Sequence, residues 1–234
     1  MDIDQVVGEL KTNRLVPVVT IRNAQDAPQL GQALLGGGLP LAEITFRTNA
    51  AAGAIAGLRR FVPNVLVGAG TVLDKDTVDI AMSAGAQFIV APGFNPAVVD
   101  HCLSRGIPII PGVSTPTEIE MGLSRGLTLM KFFPAEAAGG LRMLSAMAAP
   151  YKGVRFMPTG GITLANLPEY LAHDSVLACG GTWLATADAI AGHRFQEIED
   201  NVTAAVSVVS AATGPTGLSG SPQRTTTSVQ TIEK

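Results

Sequence analysis

Lys131 is the only charged residue in Leu127-Thr128-Leu129-Met130-Lys131-Phe132-Phe133-Pro134-Ala135, a stretch that otherwise reads as a buried strand. Side chains alternate faces along a strand, so Leu129, Lys131 and Phe133 point one way and Met130 and Phe132 the other. Both faces are apolar apart from the lysine, the pattern of a parallel strand covered on both sides. An unpaired ammonium buried in such a place carries a desolvation cost, and the neutral amine that burial favours is a nucleophile for carbonyl carbons. The alternative is a lysine whose four-carbon stem snorkels to water at the end of the strand. The flanking aromatics and a second unusual strand favour the first reading.

That second strand is Leu41-Ala42-Glu43-Ile44-Thr45-Phe46-Arg47. Alternation sends Ala42, Ile44 and Phe46 to one face and Glu43, Thr45 and Arg47 to the other. A carboxylate, a hydroxyl and a guanidinium in one column can move protons and hold an anion; the competing reading is a Glu43–Arg47 ion pair that satisfies only itself. Further along, Val67-Gly68-Ala69-Gly70-Thr71 ends in small residues and a hydroxyl, and Ala91-Pro92-Gly93 and Pro111-Gly112-Val113-Ser114 make rigid turns suited to walling a pocket. Thr159-Gly160-Gly161-Ile162 and Gly180-Gly181-Thr182 read as two glycine turns, each leading into a helix. Such turns let backbone N–H groups approach an anion such as phosphate, although glycine also serves where a positive φ is all that is needed.

These residues must be positioned by a repeating scaffold. Apolar strands are expected at 16–21, 41–46, 66–72, 87–91, 107–112, 129–133, 155–159 and 176–180, with helical stretches between them. Asn23, Asp74, Asn95-Pro96 and Thr115-Pro116 open helices, and Gly85, Gly106 and Gly126 close them. Strand and helix alternating eight times, with strands apolar on both faces, predict a closed (β/α)8 barrel, whose chemistry sits at the C-terminal ends of the strands. No Gly-x-Gly-x-x-Gly follows the first strand, against a dinucleotide fold. An extra helix at 3–11 precedes the barrel, and a long helix at 195–212 closes it. Residues 213–234, rich in Gly, Pro, Ser and Thr, are expected to form a disordered tail beyond a barrel domain at 1–212.

The 234 residues are 47% hydrophobic and 15% charged, enough for one sizeable core and poor enough in charge to favour an oligomer. Sixteen basic against nineteen acidic residues, without blocks of like charge, give no footprint for nucleic acid or an anionic membrane. Met1-Asp2-Ile3-Asp4 lacks the features of a secretory signal, no apolar run is long enough to span a bilayer, and a cytoplasmic protein is expected. Cys102 and Cys179 read as small buried hydrophobes, and His101, His173 and His193 are too scattered for a metal site; neither metal nor cofactor is expected.

Taken together, Lys131, Glu43, Arg47 and a phosphate cradle suit cleavage of a phosphorylated 2-keto acid through a Schiff base. The segments Glu43-Ile44-Thr45-Phe46-Arg47-Thr48, Val67-Gly68-Ala69-Gly70-Thr71-Val72, Lys131-Phe132-Phe133-Pro134-Ala135-Glu136 and Pro158-Thr159-Gly160-Gly161-Ile162 resemble the 2-keto-3-deoxy-6-phosphogluconate (KDPG) aldolase family, which overlaps with 4-hydroxy-2-oxoglutarate (KHG) aldolase. The resemblance spans about residues 3 to 212 and implies a class I aldolase of the Entner–Doudoroff pathway on a (β/α)8 barrel, a homotrimer in most members. It implies Lys131 as the Schiff-base lysine and Glu43 as general acid and base acting through water. Arg47 and Thr71 would hold the substrate carboxylate, Pro92 and Phe133 would wall the pyruvyl end, and Thr159 would lie beside the middle hydroxyls. Gly160, Gly161, Gly180, Gly181 and Thr182 would bind phosphate. Thr182 departs from the Ser of many relatives, keeping the hydroxyl and adding a methyl, and the 213–234 tail lies outside the family pattern.

Three alternatives stand beside this reading. One is the same chemistry on 4-hydroxy-2-oxoglutarate or on the galactonate epimer. Another is a non-catalytic barrel that binds a sugar phosphate, which would need neither Lys131 nor Glu43. The third, a metal-dependent epimerase, is disfavoured by the scattered histidines.

Overall fold

The computed structural model describes residues 1–213. Eight parallel strands form the barrel: β1 Leu15–Val19, β2 Leu41–Thr45, β3 Leu66–Gly70, β4 Phe88–Val90, β5 in two halves (Ile109–Ile110 and Gly112–Val113), β6 Leu129–Phe132, β7 Arg155–Pro158 and β8 Cys179–Gly181. β8 pairs with β1, and the order then runs β1, β2, β3, β4 to the first half of β5. The second half of β5 pairs with β6, and β6 with β7. Bridges from Phe156 to Val176 and from Thr159 to Gly180 join β7 to β8 and complete the ring. The expected strand 107–112 is thus divided at Pro111, whose nitrogen has no hydrogen to give the ladder.

The helices follow the expected start signals. Asp74 accepts from the Thr77 N–H to open α4 (Lys75–Ser83), and Asn95 caps α5 (Pro96–Ser104), each with its side-chain oxygen. Thr115 and Glu118 form a reciprocal capping box at α6 (Pro116–Leu123). Asn23 caps a short 3-10 turn, Ala24–Asp26, that leads into α2 (Ala27–Gly36). The remaining helices are α1 (Ile3–Asn13), α3 (Ala51–Phe61), α7 (Gly140–Ala148), α8 (Leu167–Leu171), α9 (Ala187–Ala191) and α10 (Phe195–Thr213). Beyond Thr213, the tail expected from composition lies outside the described residues. Among the described residues no helix is long and apolar enough to cross a membrane.

Two apolar layers follow from the strand alternation. The outer one packs strand residues such as Ala42, Ile44, Val67, Ala69, Met130 and Phe132 against the surrounding helices. The inner one fills the barrel floor with Val16, Leu41, Leu66, Phe88, Ile110, Leu129, Met157 and Ala178, and α1 stoppers it with Val6 and Leu10. Two residues further along these strands, on the same face, stand Glu43, Gly68, Lys131, Thr159 and Gly180. The polar tier therefore rests on a dry floor at the C-terminal end of the barrel.

Candidate active site

Lys131 and Glu43 come from β6 and β2, opposite strands of the ring, and meet in its middle. Lys131 Nζ lies 3.3 Å from Glu43 Oε1; the lysine is 5% exposed and the glutamate is fully buried. The lysine is therefore paired with Glu43. Arg47 is not: it is exposed, and its Nε donates to Thr71 Oγ1 at 3.3 Å. The ion-pair alternative for Glu43 and Arg47 is not formed. Each residue is free for a separate task, one in the lumen and one at the rim.

Backbone choices make room for the pair. Lys131 sits between Gly112 and Met157 in register. A methyl group at Gly70 would stand 2.1 Å from Glu43 Oε1, so this strand position has to be glycine for the carboxylate to reach its place. Glu43 Oε2 is buried and has no protein hydrogen-bond partner. Native structures rarely leave such an acceptor unsatisfied without a functional reason, and this one is available to a water or a substrate hydroxyl. Two residues further along β2, Thr45 donates to the Val19 carbonyl at 2.8 Å and lies 2.9 Å from the Thr20 hydroxyl. Nothing local connects Thr20 to Thr45; a hydroxyl within the expected apolar strand 16–21 was its only signal in the sequence.

The Phe133 ring centroid lies 5.3 Å from Lys131 Nζ, within cation–π range. The Pro92 carbonyl lies against Gly112, so the strand-4 turn closes over the lysine's neighbour in register. Thr159 is buried, with its hydroxyl against Gly180, where a side chain would collide with it at 2.3 Å. Gly160 and Gly161 turn at φ 99° and 83°, a left-handed backbone that suits glycine. Gly160 abuts the Phe133 ring and so links this turn to the lysine.

The two glycine pairs differ from the sequence picture. Gly180 and Gly181 belong to β8 itself and not to a turn; their lack of side chains clears space. Nor does a helix follow directly: α8 starts at Leu167 and α9 at Ala187. The anion-binding capacity lies in loop amides. The N–H groups of Gly161 and Ile162 donate to no protein acceptor, and neither do those of Thr182, Trp183 and Leu184. The Thr182 side chain is exposed beside them.

Cys102 and Cys179 are fully buried, and burial pushes both thiols up to about 12. They pack as hydrophobes in the outer layer.

A family model for KDPG and KHG aldolase matches residues 6–201. The chain belongs to the KDPG and KHG aldolase family. It is 53% identical to the 2-dehydro-3-deoxy-phosphogluconate aldolase of Treponema pallidum (strain Nichols) over 81% of this chain and 90% of the relative. Among solved aldolases of this type, the Legionella pneumophila KDPG aldolase, with pyruvate captured as a covalent carbinolamine intermediate, is 36% identical. It superposes with a TM-score of 0.82 over 85% of this chain and 97% of that one. The Zymomonas mobilis ZM4 enzyme with 3-phosphoglycerate is also 36% identical, with a TM-score of 0.82 over 88% and 97% of the two chains.

Proposed function

We propose that this chain cleaves 2-keto-3-deoxy-6-phosphogluconate reversibly to pyruvate and glyceraldehyde 3-phosphate, the carbon–carbon cleavage of the Entner–Doudoroff pathway, through a Schiff base on Lys131. The observation that carries the assignment is the buried Lys131–Glu43 pair at the C-terminal end of the barrel, the pair that this chemistry requires. The chain is a class I aldolase, a carbon–carbon lyase. Relatives named as KDPG aldolases support the substrate, and the carbinolamine captured in the Legionella enzyme supports the covalent route.

The geometry accounts for the steps. Glu43 takes the ammonium proton, and the neutral Nζ attacks the C2 ketone to give a carbinolamine. Glu43, through a water held at its unpaired Oε2, returns a proton to the departing hydroxide, leaving an iminium ion. The iminium accepts the electron pair of the C3–C4 bond as the C4 hydroxyl gives up its proton to the same carboxylate. Glyceraldehyde 3-phosphate leaves, the enamine is protonated at C3, and hydrolysis releases pyruvate and Lys131. Arg47 with Thr71 binds the substrate carboxylate, which only a planar guanidinium can grip bidentately. Pro92 and Phe133 wall the pyruvyl end, and Thr159 faces the middle hydroxyls. The turn at Gly160 and Gly161 and the loop amides beyond Gly180-Gly181, with Thr182, receive the phosphate.

A second reading, 4-hydroxy-2-oxoglutarate as an additional substrate, is supported by the 43% identical Escherichia coli (strain K12) relative named KHG/KDPG aldolase. We also read the assembly as a homotrimer, for which exposed Leu73, Ile80, Leu103 and Leu123 provide apolar surface; light scattering tests it. A multiply charged phosphorylated substrate does not cross membranes unaided, which fits a cytoplasmic enzyme.

Borohydride reduction in the presence of pyruvate tests the mechanism, since only an imine is reduced to a stable amine. The expected result is inactivation with a pyruvate-derived adduct mapped to Lys131 by mass spectrometry. Lys131→Arg removes turnover, because a guanidinium stays protonated. Full activity in that variant, or an adduct on another lysine, overturns the assignment.

A further inference from the structure

The turn at Gly160-Gly161 is held from outside the barrel mouth. The Glu136 N–H donates to the Gly160 carbonyl at 3.0 Å, and Asn166 Nδ2 donates to the Gly161 carbonyl at 3.1 Å. Asn166 Oδ1 also accepts from the Thr163 N–H at 2.8 Å, so one planar amide clips both ends of the 161–163 segment. With a carbonyl on one side and an N–H on the other, the orientation of that amide is determined. Asn166 stands at the N-cap of α8 yet makes no capping bond to it. A capping asparagine would accept from the first turn of its helix; this one directs donor and acceptor back onto the loop.

In a trans peptide the carbonyl oxygen and the following N–H point in opposite directions. Anchoring the Gly160 carbonyl turns the Gly161 N–H away from Glu136, and anchoring the Gly161 carbonyl turns the Ile162 N–H away from Asn166. Neither N–H has a protein acceptor. Two successive glycines at positive φ offer little resistance of their own to a peptide flip, so the orientation has to come from the anchors.

We propose that Asn166 is a positioning residue for phosphate binding: its side chain holds the Gly161–Ile162 peptide so that the Ile162 N–H, beside the Gly161 N–H whose peptide Glu136 anchors, faces the phosphoryl end of the substrate. This rests on the reading of the turn as the phosphate cradle. Asn166 acts through the peptide, remote from Lys131, so its effect falls on the phosphoryl contact and not on imine formation.

The test compares wild type, Asn166→Ala, Asn166→Asp and Thr163→Ala on 2-keto-3-deoxy-6-phosphogluconate and its unphosphorylated analogue, with inorganic phosphate as a competing probe. Asn166→Ala lowers kcat/KM for the phosphorylated substrate about tenfold, mainly through KM, and weakens inhibition by phosphate by a similar factor. The same variant leaves the unphosphorylated substrate within about twofold and traps pyruvate on Lys131 at the wild-type rate. Asn166→Asp keeps the acceptor for Thr163 but loses the donor, and behaves like the alanine variant. Thr163→Ala loses the 3.4 Å bond from the Asn166 N–H to the Thr163 hydroxyl but keeps both bonds of the Asn166 side chain, and matches wild type. Equal losses on both substrates, or full phosphate discrimination in both Asn166 variants, overturn the proposal while the cradle stands. A wild type that does not discriminate overturns the cradle and the proposal together. If Asn166→Ala does not fold, Asn166→Asp carries the comparison, and failure of both to fold makes Asn166 structural and ends the proposal.

Discussion

Gly70→Ala is the sharpest test of how the backbone seats the general acid and base. The added methyl would lie 2.1 Å from Glu43 Oε1 and 2.7 Å from both Cγ and Cδ of the same side chain. Normal contact requires about 3.4 Å, so the carboxylate must retreat by about 1.3 Å. Glu43 is fully buried and linked to Lys131 at 3.3 Å, so this displacement disturbs the geometry that proton transfer needs. Misplacement of a catalytic group by ~1 Å costs on the order of 100-fold, and overpacking a buried site costs about 1–3 kcal/mol of stability. We expect kcat to fall about 100-fold while the circular dichroism spectrum is retained and Tm drops by several degrees. Pyruvate release, coupled to lactate dehydrogenase, measures the rate. Glu43→Ala removes Cγ, Cδ and both oxygens and with them the clash, so the Gly70→Ala, Glu43→Ala double variant is no slower than Glu43→Ala alone. This non-additivity separates a local collision from general damage. A folded Gly70→Ala enzyme with wild-type kcat, or strictly additive losses in the double variant, would refute the reasoning.

Glu43→Gln keeps the shape and removes the proton shuttle, and is expected to lower turnover by roughly 10²–10⁴-fold in a folded protein, measured by the same coupled assay. Thr182→Val raises KM for the phosphorylated substrate and spares the unphosphorylated one, whereas Thr182→Ser, which keeps the hydroxyl, is nearly silent; substrate-pair kinetics decide. Cys102 and Cys179 react with an aromatic disulfide reagent only at the rate of unfolding, because both are buried and their thiols stay protonated to about pH 12. The folded protein holds these protons more tightly than the unfolded chain does. Stability is therefore unaffected below the ordinary thiol range and declines as pH rises from about 9 toward 12, a trend that chemical denaturation at a series of pH values measures.

The sequence by itself determined the eight-fold alternation, the faces of each strand and most helix starts, because these depend on local periodicity and on caps whose partners lie a few residues away. It also singled out Lys131 and Glu43, since a charge on an otherwise apolar strand face is anomalous wherever the strand is placed. What it left open was who meets whom. Glu43 and Lys131 are 88 residues apart, and only closure of the ring brings their strands to opposite sides of one lumen. Until then, a Glu43–Arg47 pair four residues apart stood as the alternative. Tertiary structure also sent Arg47 to Thr71 and drew Gly180 and Gly181 into β8. Each of these depends on which backbone atoms approach across the barrel, a distance in space that no spacing along the chain encodes.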